Sequence, residues 1–171
     1  MKFIIGLGNP GEKYGHTRHN AGFLFLDFLR AEWNFPPFVE EKKFASAVSA
    51  GVRGIEKTLL IKPETFMNRS GEAAATTINF YKCPPSDILV VHDDLDIPFG
   101  SWKASKGSGP AGHNGVSDII EKIGTKDFQR IRIGIGRPPE NIPADRFVLE
   151  SFTEAESTRL PEIFEDIFQS L

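Results

Sequence analysis

Two rhythms of apolar residues alternate along the chain. Short, dense runs bounded by turn-forming residues lie at Lys2–Leu7, Ala45–Val52, Thr58–Lys62, Ile88–His92, Ser101–Ala104 and Arg130–Ile135, the pattern of strands. Between them, apolar positions recur at helical spacing near Asn20–Glu32, Ser70–Tyr81, Gly115–Ile123 and Thr153–Ser170. In the first of these, Ala21, Leu24, Phe25, Phe28 and Ala31 fall on one face. At the last, Thr153-x-x-Glu156 is a capping-box start. Strands alternating with helices predict an α/β protein, a single-domain α/β/α sandwich with a twisted mixed β-sheet flanked by helices. Phe35-Pro36-Pro37, Cys83-Pro84-Pro85 and Arg137-Pro138-Pro139 punctuate loops rather than domains. With no internal repeat or low-complexity linker, residues 1–171 are expected to form one domain.

Composition narrows the class. A single cysteine, Cys83, excludes an internal disulfide and a cysteine-rich zinc site. The start, Met1-Lys2-Phe3-Ile4-Ile5-Gly6, is broken too early to read as a signal peptide, and no apolar stretch approaches the roughly 20 residues of a membrane span. A cytoplasmic protein with no membrane partner is expected. The net charge of −3 argues superficially against a nucleic-acid partner, but its distribution qualifies that. Residues 140–171 hold eight acids and two bases, a net of −6, whereas residues 101–139 hold seven bases and three acids, a net of +4. An acidic end masks a mildly basic body, so RNA remains a candidate partner.

The candidate chemistry sits in four loops. The first, GLGNPGEKYGHTRHNAG, carries Gly6, Gly8 and Gly11 in G-x-G-x-x-G spacing after an apolar run. A dinucleotide loop needs its helix to start at those glycines. Here Pro10-Gly11 is a turn, Gly15 interrupts again, and helical periodicity begins only near His19 or Asn20, so the fingerprint reads as a chance match. The same loop brings Asn9, Tyr14, His16, His19 and Asn20; ETFMNRSG brings Phe66, Met67 and Asn68; VVHDDLD brings His92, Asp93 and Asp94; GSGPAGHNG brings His113 and Asn114. Each has a bland reading, as a helix cap, turn chemistry or a solvated pair. Nothing structural, however, asks for His/Asn and His/Asp pairs repeatedly.

Three chemistries compete for these loops. A zinc site could draw on His16, His19, His92, Asp93 and His113, but no helical H-x-x-x-H spacing is present and amides are poor zinc ligands. A serine nucleophile lacks G-x-S-x-G, and Cys83 sits beside two prolines. A histidine general base oriented by a carboxylate fits best, since an Asp accepting one ring N–H fixes the tautomer and stabilises the imidazolium that forms. With neutral amides nearby to hold water and carbonyl oxygens, that describes a water-activating ester hydrolase without metal or other cofactor.

At these same loops the chain resembles the bacterial peptidyl-tRNA hydrolase family. The matching stretches are GLGNPGEKYGHTRHNAG, KPETFMNRSG, VVHDDLDIPFG, GPAGHNGVSDII and RIRIGIGRP, spanning residues 6 to 138. The resemblance implies hydrolysis of the ester joining a peptide to the tRNA 3′-ribose by a monomer whose partner is peptidyl-tRNA. By matching position, it implies His19 as base and Asp93 as its orienting carboxylate. Asn9 would distinguish N-blocked from free aminoacyl-tRNA; Tyr14, Phe66, Asn68 and Asn114 would contact the 3′ end and peptide; Met67 and His113 would line the same crevice. Lys103, Lys106 and Arg132 resemble the family's contacts to the tRNA body. The chain departs from the pattern at Pro110 and Ala111, where the family has a more glycine-rich run, and in its short, acidic end. A non-catalytic RNA-binding relative on the same fold is the alternative, but His19, Asp93, Asn68 and Asn114 all stand in place.

Overall fold

The computed structural model describes residues 1–171. Seven strands form one mixed sheet: β1 (Lys2–Gly6), β2 (Val39–Glu41), β3 (Ser46–Arg53), β4 (Glu56–Pro63), β5 (Ile88–Asp94), β6 (Trp102–Lys106) and β7 (Gln129–Gly134), in the order β2-β3-β4-β1-β5-β7-β6. The four central strands β4, β1, β5 and β7 run parallel, and antiparallel pairs close both edges. The helices are α1 (Ala21–Glu32), α2 (Ser70–Tyr81), α3 (Asn114–Ile123), the short α4 (Ala144–Phe147) and α5 (Glu154–Gln169). No helix is long and apolar enough to cross a membrane.

Strand alternation divides the core in two. Phe3, Ile5 and Leu7 point to one face with Leu59, Ile61, Ile88 and Val90, where Ala74 and Ile78 of α2 and Val116 and Ile119 of α3 cover them. Ile4, Leu60, Val91, Ile131 and Ile133 point to the other, under Phe25, Leu26 and Leu29 of α1 and Leu160, Ile163, Phe164 and Ile167 of α5. The central strands are covered on both sides, as expected of parallel strands. The α/β/α sandwich expected from the pattern is the observed architecture.

Element boundaries shift by a residue or two, with informative exceptions. β5 continues through Asp93 and Asp94, so these acids are strand residues with buried side chains rather than a solvated turn. The edge strand β2 and the short α4 have no periodic signal, because three or four residues are too few to show one. In α1 the buried stripe is Ala21, Phe25, Leu26 and Leu29, and Ala31 is exposed, a rotation from the expected face. The capping box of α5 forms in both directions between Thr153 and Glu156. That helix also runs through Pro161. The missing N–H costs on the order of 3 kcal/mol, offset by four large apolar side chains at roughly 1.5–3 kcal/mol each.

The glycines of the first loop serve packing. A Cβ on Gly22 would lie 2.4 Å from the Leu7 nitrogen and the Val91 oxygen, and one on Gly6 would lie 2.5 Å from the Gly22 oxygen. The start of α1 therefore rests backbone to backbone on β1 and β5. Gly11 sits in a turn before a 3₁₀ segment, well ahead of α1, where no dinucleotide loop has its third glycine.

This contact predicts that Gly22→Ala destabilises the fold by about 1–3 kcal/mol, because backbone cannot yield as a flexible side chain can. The gain in helix propensity is smaller than that cost. Denaturant unfolding measures it; a variant as stable as the parent would refute the close contact.

Candidate active site

All four polar loops meet beyond the carboxyl ends of the parallel strands, where open α/β sheets place their sites. β1 leads into Asn9, β4 into the Phe66–Asn68 turn, β5 ends at Asp93 and Asp94, and the segment after β6 carries His113 to the start of α3. His19 lies in a 3₁₀ turn, Arg18–Asn20, that runs directly into α1.

The centre of the site is the Asp93 carboxylate. Its side chain is 2% exposed and lies between two imidazoles. His19 Nδ1 is 2.9 Å from Oδ2 and 3.0 Å from Oδ1, and His113 Nε2 is 2.9 Å from Oδ1. The remaining contacts assign the tautomers. His113 Nδ1 accepts the Val116 N–H at 3.3 Å, capping α3, which leaves the ring proton on Nε2 to donate to Asp93. His19 donates from Nδ1, so its Nε2 carries a lone pair, and its side chain is 12% exposed. A third ring, His92, packs on His113 with centroids 4.8 Å apart and hydrogen-bonds the Asp93 carbonyl through Nδ1 at 2.7 Å.

This environment polarises the acid–base character of the group. Burial alone would raise the Asp93 pKa, but the two adjacent imidazoles and their hydrogen bonds outweigh it and hold the carboxyl ionised far below its usual range. Burial likewise opposes the His19 imidazolium, and the charge and hydrogen bond of Asp93 overcome it, leaving the His19 pKa raised. His92 has no facing carboxylate side chain in hydrogen-bond contact. Burial, aided by His113 and Arg130, keeps it neutral, well below the ordinary imidazole value.

A crevice of about 320 Å³ opens on this group, lined by His19, Asp93, His113 and Asn114 with Asp94, Leu95, Pro110, Ala111, Gly112, Ala144, Asp145 and Val148. Pattern reading had no means to find Ala144, Asp145 and Val148, which reach the crevice only through the fold. Asn9 is buried and organises the neighbouring wall. Its Oδ1 accepts the Met67 N–H at 2.8 Å, and its main chain is clasped by the Asn20 amide at 2.8 and 2.9 Å. The Asn9 Nδ2 has no protein partner and reaches solvent. Phe66, 58% exposed, and Asn68, also exposed, flank this wall, and Tyr14 is half-buried beside it. Met67 does not line the crevice. Its side chain turns into the core against Gly115, whose missing Cβ makes the room. His16 is exposed and takes no part.

His19 is held from behind by a distant stretch of chain. His19 N–H donates to the Val148 carbonyl, Arg18 N–H to Glu150, and Phe152 N–H to His16, with a bridge between Thr17 and Ser151. The buried Arg18 pairs with Glu156 at 2.9 Å and stacks over Phe147. The three basic candidates lie on the β6–β7 edge. Lys103 and Arg132 are register partners; Arg132 pairs with Asp94 at 2.8 Å and Lys106 with Asp127 at 3.6 Å, while Lys103 has no ion pair.

The arrangement suits proton transfer at His19 Nε2, with Asp93 supporting the positive ring. His19, Asp93 and His113 also form a group whose ligand atoms lie within 4.8 Å of one another, a cluster that residue spacing did not reveal because it draws on three separate segments. A metal there meets a chemical obstacle: with Nδ1 capping α3, His113 Nε2 is protonated and has no lone pair to offer.

Comparison with known proteins places the chain in a family. The peptidyl-tRNA hydrolase family model matches residues 3–171. A peptidyl-tRNA hydrolase of Brevibacillus brevis is 44% identical over 162 residues, covering 95% of this chain and 85% of the relative. One from Neisseria meningitidis is 53% identical over 138 residues, covering 81% and 71%. The crystal structure of peptidyl-tRNA hydrolase from Acinetobacter baumannii superposes with a TM-score of 0.90 at 35% identity, covering 96% of this chain and 83% of that one. The chain belongs to the peptidyl-tRNA hydrolase family, a family of enzymes.

Proposed function

We propose that the protein hydrolyses the ester between a peptide, or an N-blocked aminoacyl group, and the 3′-ribose of tRNA, acting as a cytoplasmic monomer without a metal or other cofactor. The observation that carries this reading is the His19–Asp93–His113 group, opening on a crevice that Asn114 also lines, in a chain of this family. His19 Nε2 takes a proton from a water molecule as its oxygen attacks the ester carbonyl carbon. The resulting imidazolium, stabilised by Asp93, gives that proton to the departing ribose oxygen, releasing the free peptide acid and tRNA. An ester suits this apparatus because an alkoxide leaves with less acid assistance than an amine. Asn68 and Asn114 supply uncharged donors for the carbonyl oxygen and the 3′ end, and Asn9 Nδ2 meets the blocked acyl group. Tyr14 and Phe66 offer aromatic surface at the rim, and His113 keeps Asp93 from turning. Lys103, which has no ion pair, and Lys106 and Arg132, in exchange for their carboxylate partners, meet tRNA phosphates. Against a purely RNA-binding role stands the state of the base: its tautomer is set and its pKa is raised, which phosphate binding does not require.

The decisive measurement is release of N-acetyl-aminoacyl groups from tRNA by the purified protein. His19→Ala lowers kcat by roughly 10²–10⁴-fold with the fold retained; near-normal turnover would remove His19 from the mechanism. Because the base works in its neutral form, kcat/KM falls as pH drops through a His19 pKa that lies above 6.5. Asp93→Asn lowers the plateau and moves that acid limb to lower pH, since burial then acts on His19 unopposed. An unmoved limb would show that Asp93 does not face the base in solution.

Exhaustive chelation leaves the rate unchanged. Loss of activity restored by zinc would reassign His19, Asp93 and His113 as ligands.

Lys103→Ala, Lys106→Ala and Arg132→Ala each raise KM for full-length tRNA and flatten its salt dependence. They matter much less for an N-acetyl-aminoacyl ester on a short CCA fragment. Equal damage to both substrates would place these residues in the chemical crevice instead.

A further inference from the structure

The segment that carries His113 and Asn114 to the crevice is poorly supported by its own contacts. It runs from Gly107 to His113 between β6 and α3, with Gly107, Ala111 and Gly112 at positive φ of 67°, 51° and 81°. For Ala111 that conformation costs on the order of 1 kcal/mol. Nothing lies within 4 Å of where a Cβ would stand on Gly107, Gly109 or Gly112, so little packs on these positions. Its one internal backbone bond is His113 N–H to Pro110, and a long hydroxyl contact joins Ser108 to Ser105 at the end of β6.

One side chain fastens this segment to the sheet. Arg130 of β7 is 2% exposed, and the two N–H groups of its Nη2 are shared among the Ser108 carbonyl at 3.0 Å, the Gly109 carbonyl at 2.9 Å and the Ser108 hydroxyl. No carboxylate lies within ion-pair distance of it, and its Nε is buried without a partner. An unpaired buried cation is costly, and an apolar residue would fill a sheet-facing position more cheaply. The arginine reaches the sheet-to-loop gap with one terminal nitrogen, Nη2, whose N–H groups meet two successive loop carbonyls.

We infer that Arg130 is a positioning residue: by clamping Ser108 and Gly109 it sets the loop so that His113 reaches Asp93 and Asn114 reaches the crevice. This rests on the hydrolytic reading for its effect on rate, but not for its effect on the site's geometry. When the clamp is lost, the His113 donation to Asp93 weakens. The carboxylate then acts on His19 alone, and the loosened loop admits water to the ring. Both changes raise the His19 pKa. The titratable and charged groups around that ring are Asp93 and Asp94 of β5, His113 at the start of α3 and Asp145 of α4.

The test uses Arg130→Met and Arg130→Lys in the full chain, with two readouts. The first is the pH titration of the His19 ring C–H by proton NMR, which needs no substrate. The second is kcat and KM for the N-acetyl-aminoacyl CCA fragment, which lacks the tRNA body. Arg130→Met shifts the His19 titration to higher pH and lowers kcat by about 10- to 100-fold, the scale of a misplacement near 1 Å. Arg130→Lys, with one donor centre at the same place, recovers part of both. In a His113→Ala background the Arg130→Met effect on His19 shrinks, because the clamp acts through that residue. If the parent enzyme shows no hydrolysis but the titration shifts, the hydrolytic reading fails and the clamp stands. An unchanged titration with kcat within twofold of the parent overturns the clamp. So does failure of both variants to fold, which would make Arg130 a general prop rather than a positioning residue.

Discussion

A carboxylate taken out of water is stable only if its lone pairs are met, and Asp93 is met by two imidazole N–H groups. The rest of the site follows from that requirement. One imidazole must come from the start of α1, the other from the cap of α3, and the sheet must hold the strand that bears the acid between them. The glycine contact that seats α1 on β1 and β5 brings His19 within reach. The apolar face of α3, packed on the opposite side of the sheet, fixes His113. Neither ring can shift without leaving a buried charge short of a donor, which costs several kcal/mol. The chemistry and the packing are therefore held in register by one acid.

The two imidazoles are chemically unequal although they share a partner. His113 is satisfied on both nitrogens, by Asp93 and by the Val116 amide, so it has no free valence for catalysis. His19 is satisfied on one only. The asymmetry comes from secondary structure: a residue at an N-cap uses its side chain on the helix, whereas a residue in the 3₁₀ turn before α1 does not. Which histidine keeps a free ring nitrogen is thus decided by backbone geometry around each ring rather than by the rings themselves.

Much of this was legible in the residues. Alternating strand and helix periods were enough to place the sheet and the four main helices, and Thr153 with Glu156 announced the start of α5. The loops bearing His19, Asp93, Asn68 and Asn114 stood out because paired His, Asn and Asp residues have no structural cause in common. Other features could not be read. The depth at which Asp93 is buried is one, because burial of an acid depends on partners distant in sequence. Met67 looked like a crevice residue because nothing local shows that Gly115 leaves room for it in the core. The role of Ala144, Asp145 and Val148 depends on a chain crossing that periodicity does not encode. The G-x-G-x-x-G spacing misleads because its glycines serve helix–strand packing and turns.

The hydrogen bonds from His16–His19 to Val148–Phe152 also have a temporal side. The turn that carries His19 is made long before the segment Val148–Phe152 that holds its backbone. During synthesis α1 and β1 can associate early, whereas the main chain of His19 acquires its partner at Val148 only after all seven strands of the sheet and all of α3 are in existence. Contacts of such sequence separation form late in folding. The main chain around His19 is therefore completed only once the whole sheet has been translated.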